Sequence, residues 1–295
     1  MIRQTYRLAA GACAALVWHV PALERPFVGL GARTWSTPGL GRFYRSAAFR
    51  LAERLRFNQA SFRPVTIGRH RLMLDVTEFT AGPLYFGGAV YEPATTQYFA
   101  QALRAGSIVV DIGANHGYFT LLAALLVGDV GHVVAFEPNP CVFDQLQTHV
   151  LMNDLESLVS LRSCALGDRV GVAQLYVSQV PSNSGLSSLT PNPDLLGTGG
   201  LSRTGTVTVR LDTFDRFLAS SGLTTVDLVK IDVEGGEAEV IAGMADALGR
   251  RVVRSLVVET TWESDAHRAL CDAGYDPRPL DEVGSLVNIL YTAPR

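Results

Sequence analysis

Ile108-Val109-Val110-Asp111-Ile112-Gly113-Ala114-Asn115-His116-Gly117-Tyr118 is the stretch from which the rest of this 295-residue chain can be read. Three consecutive β-branched residues suit a strand buried on both faces, and the glycines after them let the backbone turn sharply and pass close to a ligand. The apolar run Thr120 to Val127, closed by Gly128, predicts a helix. His132-Val133-Val134-Ala135-Phe136 predicts the next strand, and Glu137 ends it. Strand, glycine turn, helix and strand open a nucleotide-binding βαβ unit, in which a carboxylate at the end of the second strand accepts the hydroxyls of a ribose. Glu137 stands close to the roughly 20-residue spacing from the first glycine expected of such an acid.

The glycine spacing discriminates between nucleotides. A dinucleotide fold uses G-x-G-x-x-G, whose middle glycine admits a pyrophosphate to a helix N-terminus. Here the pattern is Asp111-x-Gly113-x-Asn115-x-Gly117. The Asp111 carboxylate repels a pyrophosphate and favours a cationic or zwitterionic ligand, such as the amino-acid end of S-adenosylmethionine. A nicotinamide-dependent oxidoreductase is the alternative; Glu137 would serve either cofactor, but Asp111 and the missing glycine pattern count against it. A non-catalytic binding protein on the same fold is a second alternative.

Three blocks carry a family resemblance: Asp111-Ile112-Gly113-Ala114-Asn115-His116-Gly117-Tyr118-Phe119-Thr120, then Ala135-Phe136-Glu137-Pro138, then Lys230-Ile231-Asp232-Val233-Glu234-Gly235. In kind and order they resemble the signature blocks of the FkbM-type methyltransferases, from about Tyr91 to Thr261. The resemblance implies an α/β class I methyltransferase fold: a Rossmann-like, seven-stranded, mostly parallel sheet with helices on both faces. It also implies S-adenosylmethionine as cofactor and methyl transfer to a hydroxyl oxygen of a sugar, glycan or secondary metabolite. In these blocks the cofactor-binding candidates are Asp111, Gly113, Asn115, Gly117, Glu137, Pro138 and Asp232; outside them the resemblance adds Glu92, of the Tyr91-Glu92 pair bordering the cofactor pocket, and Ala165, at a strand end near the adenine.

A sugar hydroxyl is a poor nucleophile near neutral pH and needs a base or a metal to remove its proton. Asp232 and Glu234 are the catalytic candidates, with His116 behind them. The alternative is a divalent cation bracketed by Asp232 and Glu259 at the ends of adjacent strands, in a position that resembles the metal site of catechol O-methyltransferase. It is not the favoured expectation, because the sequence identifies no third ligand.

Residues 1–74 hold twelve arginines against Glu24 and Glu53, a net of +10, whereas the remainder holds 13 basic against 26 acidic residues. The expected division is a basic N-terminal extension over 1–74, with a membrane- or core-packing helix and a β-hairpin, and a catalytic domain over 75–295. The basic arm suits the acidic remainder of the chain and, equally, an anionic membrane surface or an acidic glycan. No recognition motif accompanies the arginines, so nucleic acid is not expected. Leu8 to Trp18 is too short for a comfortable span of about 20 residues; with Arg3, Arg7 and the small residues at Val20-Pro21-Ala22 it also has the outline of a signal peptide. The four cysteines show no C-x-x-C spacing, which suggests neither zinc nor a disulfide framework. A cytoplasmic location, with peripheral membrane association as an option, is the expectation.

Several local expectations follow. His70 falls in the hairpin turn and reads as exposed. Gly82 to Tyr91 reads as an ordered loop on the substrate side, and Asp212 as a helix N-cap. Glycines 235 and 236 lead into one helix to about Leu248. Gln179 to Gly205, rich in Ser, Gly, Pro, Asn and Thr, reads as a lid over the acceptor, with Asn183, Ser184 and Ser188 as hydrogen-bonding groups.

Overall fold

The computed structural model describes residues 2–58, 61–78, 80–178, 187–190, 204–283 and 286–294. These form two compact units, the described residues of 1–66 with 71–91, and those of 67–70 with 92–295.

The first unit is built mainly of helices α1 (Ile2–His19), α2 (Glu24–Thr34), α3 (Leu40–Phe57) and α4 (Ala81–Gly87), with most of a hairpin of β1 (Phe62–Ile67) and β2 (His70–Asp75), whose turn, 67–70, belongs to the second unit. Its core gathers Ala10, Ala14, Val17, Phe27, Tyr44, Leu51, Leu55 and Phe86. The arginine-rich α3 is amphipathic: Leu51, Ala52 and Leu55 are buried while Arg54 stays exposed. Glu24 is held by Arg63 at 2.5 Å and by the Tyr85 hydroxyl at 2.8 Å. Of the stretch 82–91 expected as a loop, 88–91 are irregular and residues 82–87 belong to the helix α4, ended by left-handed Gly88. Pro83 sits in its first turn, where a missing N–H costs nothing.

The second unit begins with α5 (Pro93–Ala102), β3 (Ile108–Ile112), α6 (Tyr118–Val127), β4 (His132–Phe136), α7 (Pro140–Met152) and β5 (Val159–Arg162). A side sheet follows: β6 (Ala165–Leu166), β7 (Gly171–Ser178) and β8 (Thr204–Asp212). Then come α8 (Phe214–Ser221), β9 (Leu228–Ile231), α9 (Glu237–Ala242), α10 (Ala245–Gly249), β10 (Ser255–Thr260), α11 (Asp265–Asp272), β11 (Asp276–Val283) and β12 (Leu286–Thr292).

The main sheet has seven strands in the order β11-β12-β10-β9-β3-β4-β5. β5, β4, β3, β9 and β10 run parallel, and β12 pairs antiparallel with both β10 and β11. Strand alternation separates its two faces. On one, Val110, Ile112, Ile231, Val258 and Ile289 pack into an apolar core with Phe217, Leu248 and Leu270 from the helices. The other face is different: the register sets Asp111 against Lys230, and Glu259 against Asn288. Asp111, Lys230 and Asn288 are each at most 2% exposed. Buried polar groups on this scale are rarely structural ballast.

Three local expectations are corrected. His70 is 3% exposed, not solvated: its Nδ1 lies 3.1 Å from the Leu121 carbonyl, and burial depresses its basicity. The N-cap of α8 is Thr213, whose side chain accepts from Arg216 N, while Asp212 ends β8. The helix expected to run to Leu248 is split into α9 and α10 at Gly243-Met244. Gly243 packs so tightly that a Cβ would lie 2.0 Å from the Gly167 carbonyl oxygen.

Candidate active site

The three sequence blocks meet at the carboxyl edge of the sheet, the edge where open α/β folds bind ligands. Gly113 N and Ala114 N donate to the Phe136 carbonyl at 3.0 and 2.9 Å, and Asp232 N donates to the Ile112 carbonyl at 3.0 Å. Gly113 has φ +81°, and a Cβ there would stand 1.8 Å from the Asp232 carbonyl oxygen. Only glycine lets the first turn lie directly on the third block.

Glu137, 6% exposed, accepts Asn115 N at Oε2 (2.9 Å) and Asn139 N at Oε1 (2.8 Å). Each oxygen keeps a second lone pair for a further donor. Burial pushes its pKa up to about 7, against the two backbone bonds and the His116 charge that pull it down. Pro138 is half-buried between Glu137 and Asn139. Asn115 Oδ1 is buried without a hydrogen-bond partner, as expected beside a site that takes a polar ligand. Gly117 (φ +92°) turns the chain into α6.

Asp111 lies inside β3, accepting the Thr120 hydroxyl at 2.6 Å. Burial raises its pKa, with Lys230 and Thr120 opposing. Lys230, the sole lysine, is buried in β9 with Nζ 2.8 Å from Asp232 Oδ2 and 4.7 Å from the centre of the Phe119 ring. Burial works to depress its pKa, but the charges of Asp232, Glu92 and Asp111 outweigh it and hold the ammonium protonated. Glu92 precedes α5 with φ 41°.

Asp232, Glu234 and Glu259 each bring a carboxylate oxygen within 4.8 Å of the others. Burial, then the charges of Asp232 and Glu237, push Glu234 up to about 8. The charge of Asp232, together with burial, holds Glu259 well above the ordinary carboxylate range. Of five non-glycine residues with positive φ among those described, Glu92, Asn115 and Glu234 belong to this edge. Such backbone strain concentrates at functional sites.

The structure therefore brings Asp232 and Glu234 together with Glu259, and places His116 where its charge acts on Glu137; His116 is not in the carboxylate cluster. Ala165 opens β6 and packs with Leu175, Val209 and Leu211. Ser188, expected to face a polyol, is buried; its backbone pairs with Tyr176 and its hydroxyl donates to the Glu234 carbonyl at 2.6 Å. Asn183, Ser184 and most of the expected lid lie outside the described residues. Sequence reading missed Asn288, and missed Glu234 as a third carboxylate beside Asp232 and Glu259.

A sheet of this order with one reversed strand, and a glycine turn, an acidic second-strand end and an acidic fourth-strand end along one edge, defines a class I methyltransferase. The chain belongs to the FkbM methyltransferase family: the methyltransferase FkbM domain matches residues 111–277. It is 30% identical over 200 residues to methyltransferase sdnD of Sordaria araneosa, covering 61% of this chain and 75% of that one. It is 33% identical over 181 residues to the 31-O-demethyl-FK506 methyltransferase FkbM of Streptomyces tacrolimicus, covering 53% and 66%. It is 29% identical over 177 residues to the hexuronic acid methyltransferase AglP of Haloferax volcanii, covering 60% of each. For the latter two, the match spans less than two thirds of the relative's length.

Proposed function

We propose that this protein transfers a methyl group from S-adenosylmethionine to a hydroxyl oxygen of a sugar, glycan or other small metabolite. The observation that carries the reading is the meeting of the three blocks at one sheet edge, with Glu137 at one end and Asp232, Glu234 and Glu259 at the other. The names of two relatives, which act on 31-O-demethyl-FK506 and on hexuronic acid, support the acceptor class.

When bound, S-adenosylmethionine supplies a methyl group activated on a sulfonium. Glu137 would hold the ribose hydroxyls, and the 113–117 turn with Glu92 and Asp232 the amino-acid end; Asp111 acts through Lys230. Glu234 is the general base for the acceptor hydroxyl, because a carboxyl held near 8 is basic enough to take a proton near neutral pH. His116 falls on the cofactor side. Family membership favours this reading over the nicotinamide-dependent one.

Titration calorimetry tests it. S-adenosylmethionine should bind, and Glu137→Ala should weaken binding by roughly tenfold to a hundredfold, the size of a lost hydrogen bond to a charged group. Because the carboxylate is the better acceptor, affinity should rise with pH through about 7, and Glu137→Gln should remove that slope. Preferential binding of NAD would overturn the reading.

We also propose that the N-terminal unit contacts an anionic membrane surface. Leu8, Ala12 and Leu16 lie exposed on one face of α1, four residues apart, in a segment of +10 net charge. No helix among the described residues is long and apolar enough to cross a membrane. The protein should sediment with phosphatidylglycerol vesicles and not with pure phosphatidylcholine, and added salt should release it. Equal sedimentation with both would refute an electrostatic contact.

A further inference from the structure

Beside the carboxylate cluster lies a side chain that no described residue satisfies. Asn288 is 1% exposed, and neither its amide oxygen nor its amide nitrogen has a hydrogen-bond partner. Leaving such a group buried and unpaired costs about 1–3 kcal/mol, so an orphan of this kind marks a place where a ligand is expected. It stands directly opposite Glu259 in the β10–β12 ladder. Directly opposed residues of an antiparallel pair project from the same face with Cβ atoms about 5 Å apart. The orphan amide therefore lies on the face, and at the level, of the cluster.

Charge balance points the same way. Asp232, Glu234 and Glu259 converge within 4.8 Å. Lys230 takes Oδ2 of Asp232 at 2.8 Å, but that ammonium also answers the charges of Asp111 and Glu92. One buried cation faces five carboxyl groups. Hard oxygen donors at this separation, with an amide beside them and more carboxyl groups than cations around them, are the donor set of magnesium, manganese or calcium.

We propose that Asp232, Glu234 and Glu259, with the amide oxygen of Asn288, form a binding site for a divalent cation. This deepens the methyl-transfer reading, because the site is the one at which the acceptor is expected. A divalent ion held by three carboxylates keeps further positions for oxygen ligands. An acceptor hydroxyl bound to one of them would lose its proton more readily; Glu234 would hold the ion through one carboxylate oxygen and take that proton at the other.

The test is a titration of the full-length, chelator-treated, cofactor-free protein with manganese(II), following the free ion by electron paramagnetic resonance. One saturable site per chain is expected, with affinity reduced at least tenfold in Glu259→Gln and severalfold in Asn288→Leu. Glu239→Gln, an exposed carboxylate outside the cluster, should leave binding unchanged. No saturable binding by the unmodified protein, or equal binding by Glu259→Gln, overturns the proposal. If the substitutions prevent folding, the titration of the unmodified protein still decides, with Glu259→Asp as the milder variant. Binding of S-adenosylmethionine measured in EDTA reports separately on the methyltransferase reading. Cofactor binding without manganese binding removes only the cation site, and manganese binding without cofactor binding removes only the enzyme assignment.

Discussion

Lys230→Met should cost the protein about 3–5 kcal/mol of stability, the usual consequence of removing one partner from a buried ion pair. The Lys230 side chain is 3% exposed, and methionine matches its unbranched stem closely enough to keep packing against Phe119. The charge is what is lost. Asp232 loses its 2.8 Å partner, and Asp111, fully buried, loses the ammonium that opposes the upward push of burial on its pKa. A carboxyl whose folded pKa lies above its unfolded value stabilises at low pH and loses that contribution as pH rises through the folded value. Asp111 is already displaced upward, and loss of Lys230 drives it further in that direction. The deficit should therefore be larger at pH 8 than at pH 5 when both proteins are unfolded in urea. A difference from the parent of less than about 1 kcal/mol at pH 8, the scale of an ordinary substitution, would mean that the Lys230 ammonium does not support Asp111 and Asp232.

Glu234→Gln should lower kcat by roughly 10²- to 10⁴-fold, the range of a lost general acid–base group. Glutamine keeps the shape and the hydrogen-bonding capacity but accepts no proton. Since Glu234 reaches its place through a strained φ of 58° and a loop tied down by Ser188 and Thr190, the amide should keep the backbone arrangement. Affinity for S-adenosylmethionine should change little, because the ribose and amino-acid ends are assigned to other residues. The measurement is steady-state methyl transfer to a hydroxyl of a sugar or other small metabolite alongside calorimetric cofactor affinity. A variant retaining kcat within about tenfold of the parent would assign the proton to another group. Glu259 is the next to examine, because it shares the cluster and is also held above the ordinary carboxylate range.

Much of the catalytic unit was legible along the chain because its signals are local. Val-Val after Ile108, the glycines at 113 and 117 and the apolar run to Val127 set strand, turn and helix. The structure returns β3 as Ile108–Ile112 and α6 as Tyr118–Val127. The signals at the start of α7 (Pro140–Met152) are equally local: Pro140 suits the first turn, and the Asn139 side chain caps it by accepting Cys141 N. Errors fell where a side chain's environment comes from elsewhere. His70 sits at a hairpin end, which by itself implies solvent, yet Leu121 of α6 supplies its burial and its hydrogen-bonding partner. The break at Gly243 arises from the approach of Gly167, 76 positions away in the chain, which no helical periodicity records.

The candidate site divides along the same line. Sequence alone determined that Glu137, Asp232 and Glu234 follow strand ends, and that Asp111 comes just before the first glycine turn, in family order, because strand periodicity and glycine turns are local properties. It could not determine that Asp111 is enclosed by Thr120 and Lys230, that Glu234 joins Asp232 and Glu259, or that an unsatisfied Asn288 faces Glu259. Those facts depend on the order and register of β3, β9, β10 and β12, which were decided only when the parallel strands aligned and β12 returned against β10. Residues 111, 230, 259 and 288 lie far apart in the chain. They share one face because the side chains of neighbouring strands alternate in step, so a one-residue slip of β12 would turn Asn288 to the apolar side and take the orphan amide away from the carboxylates.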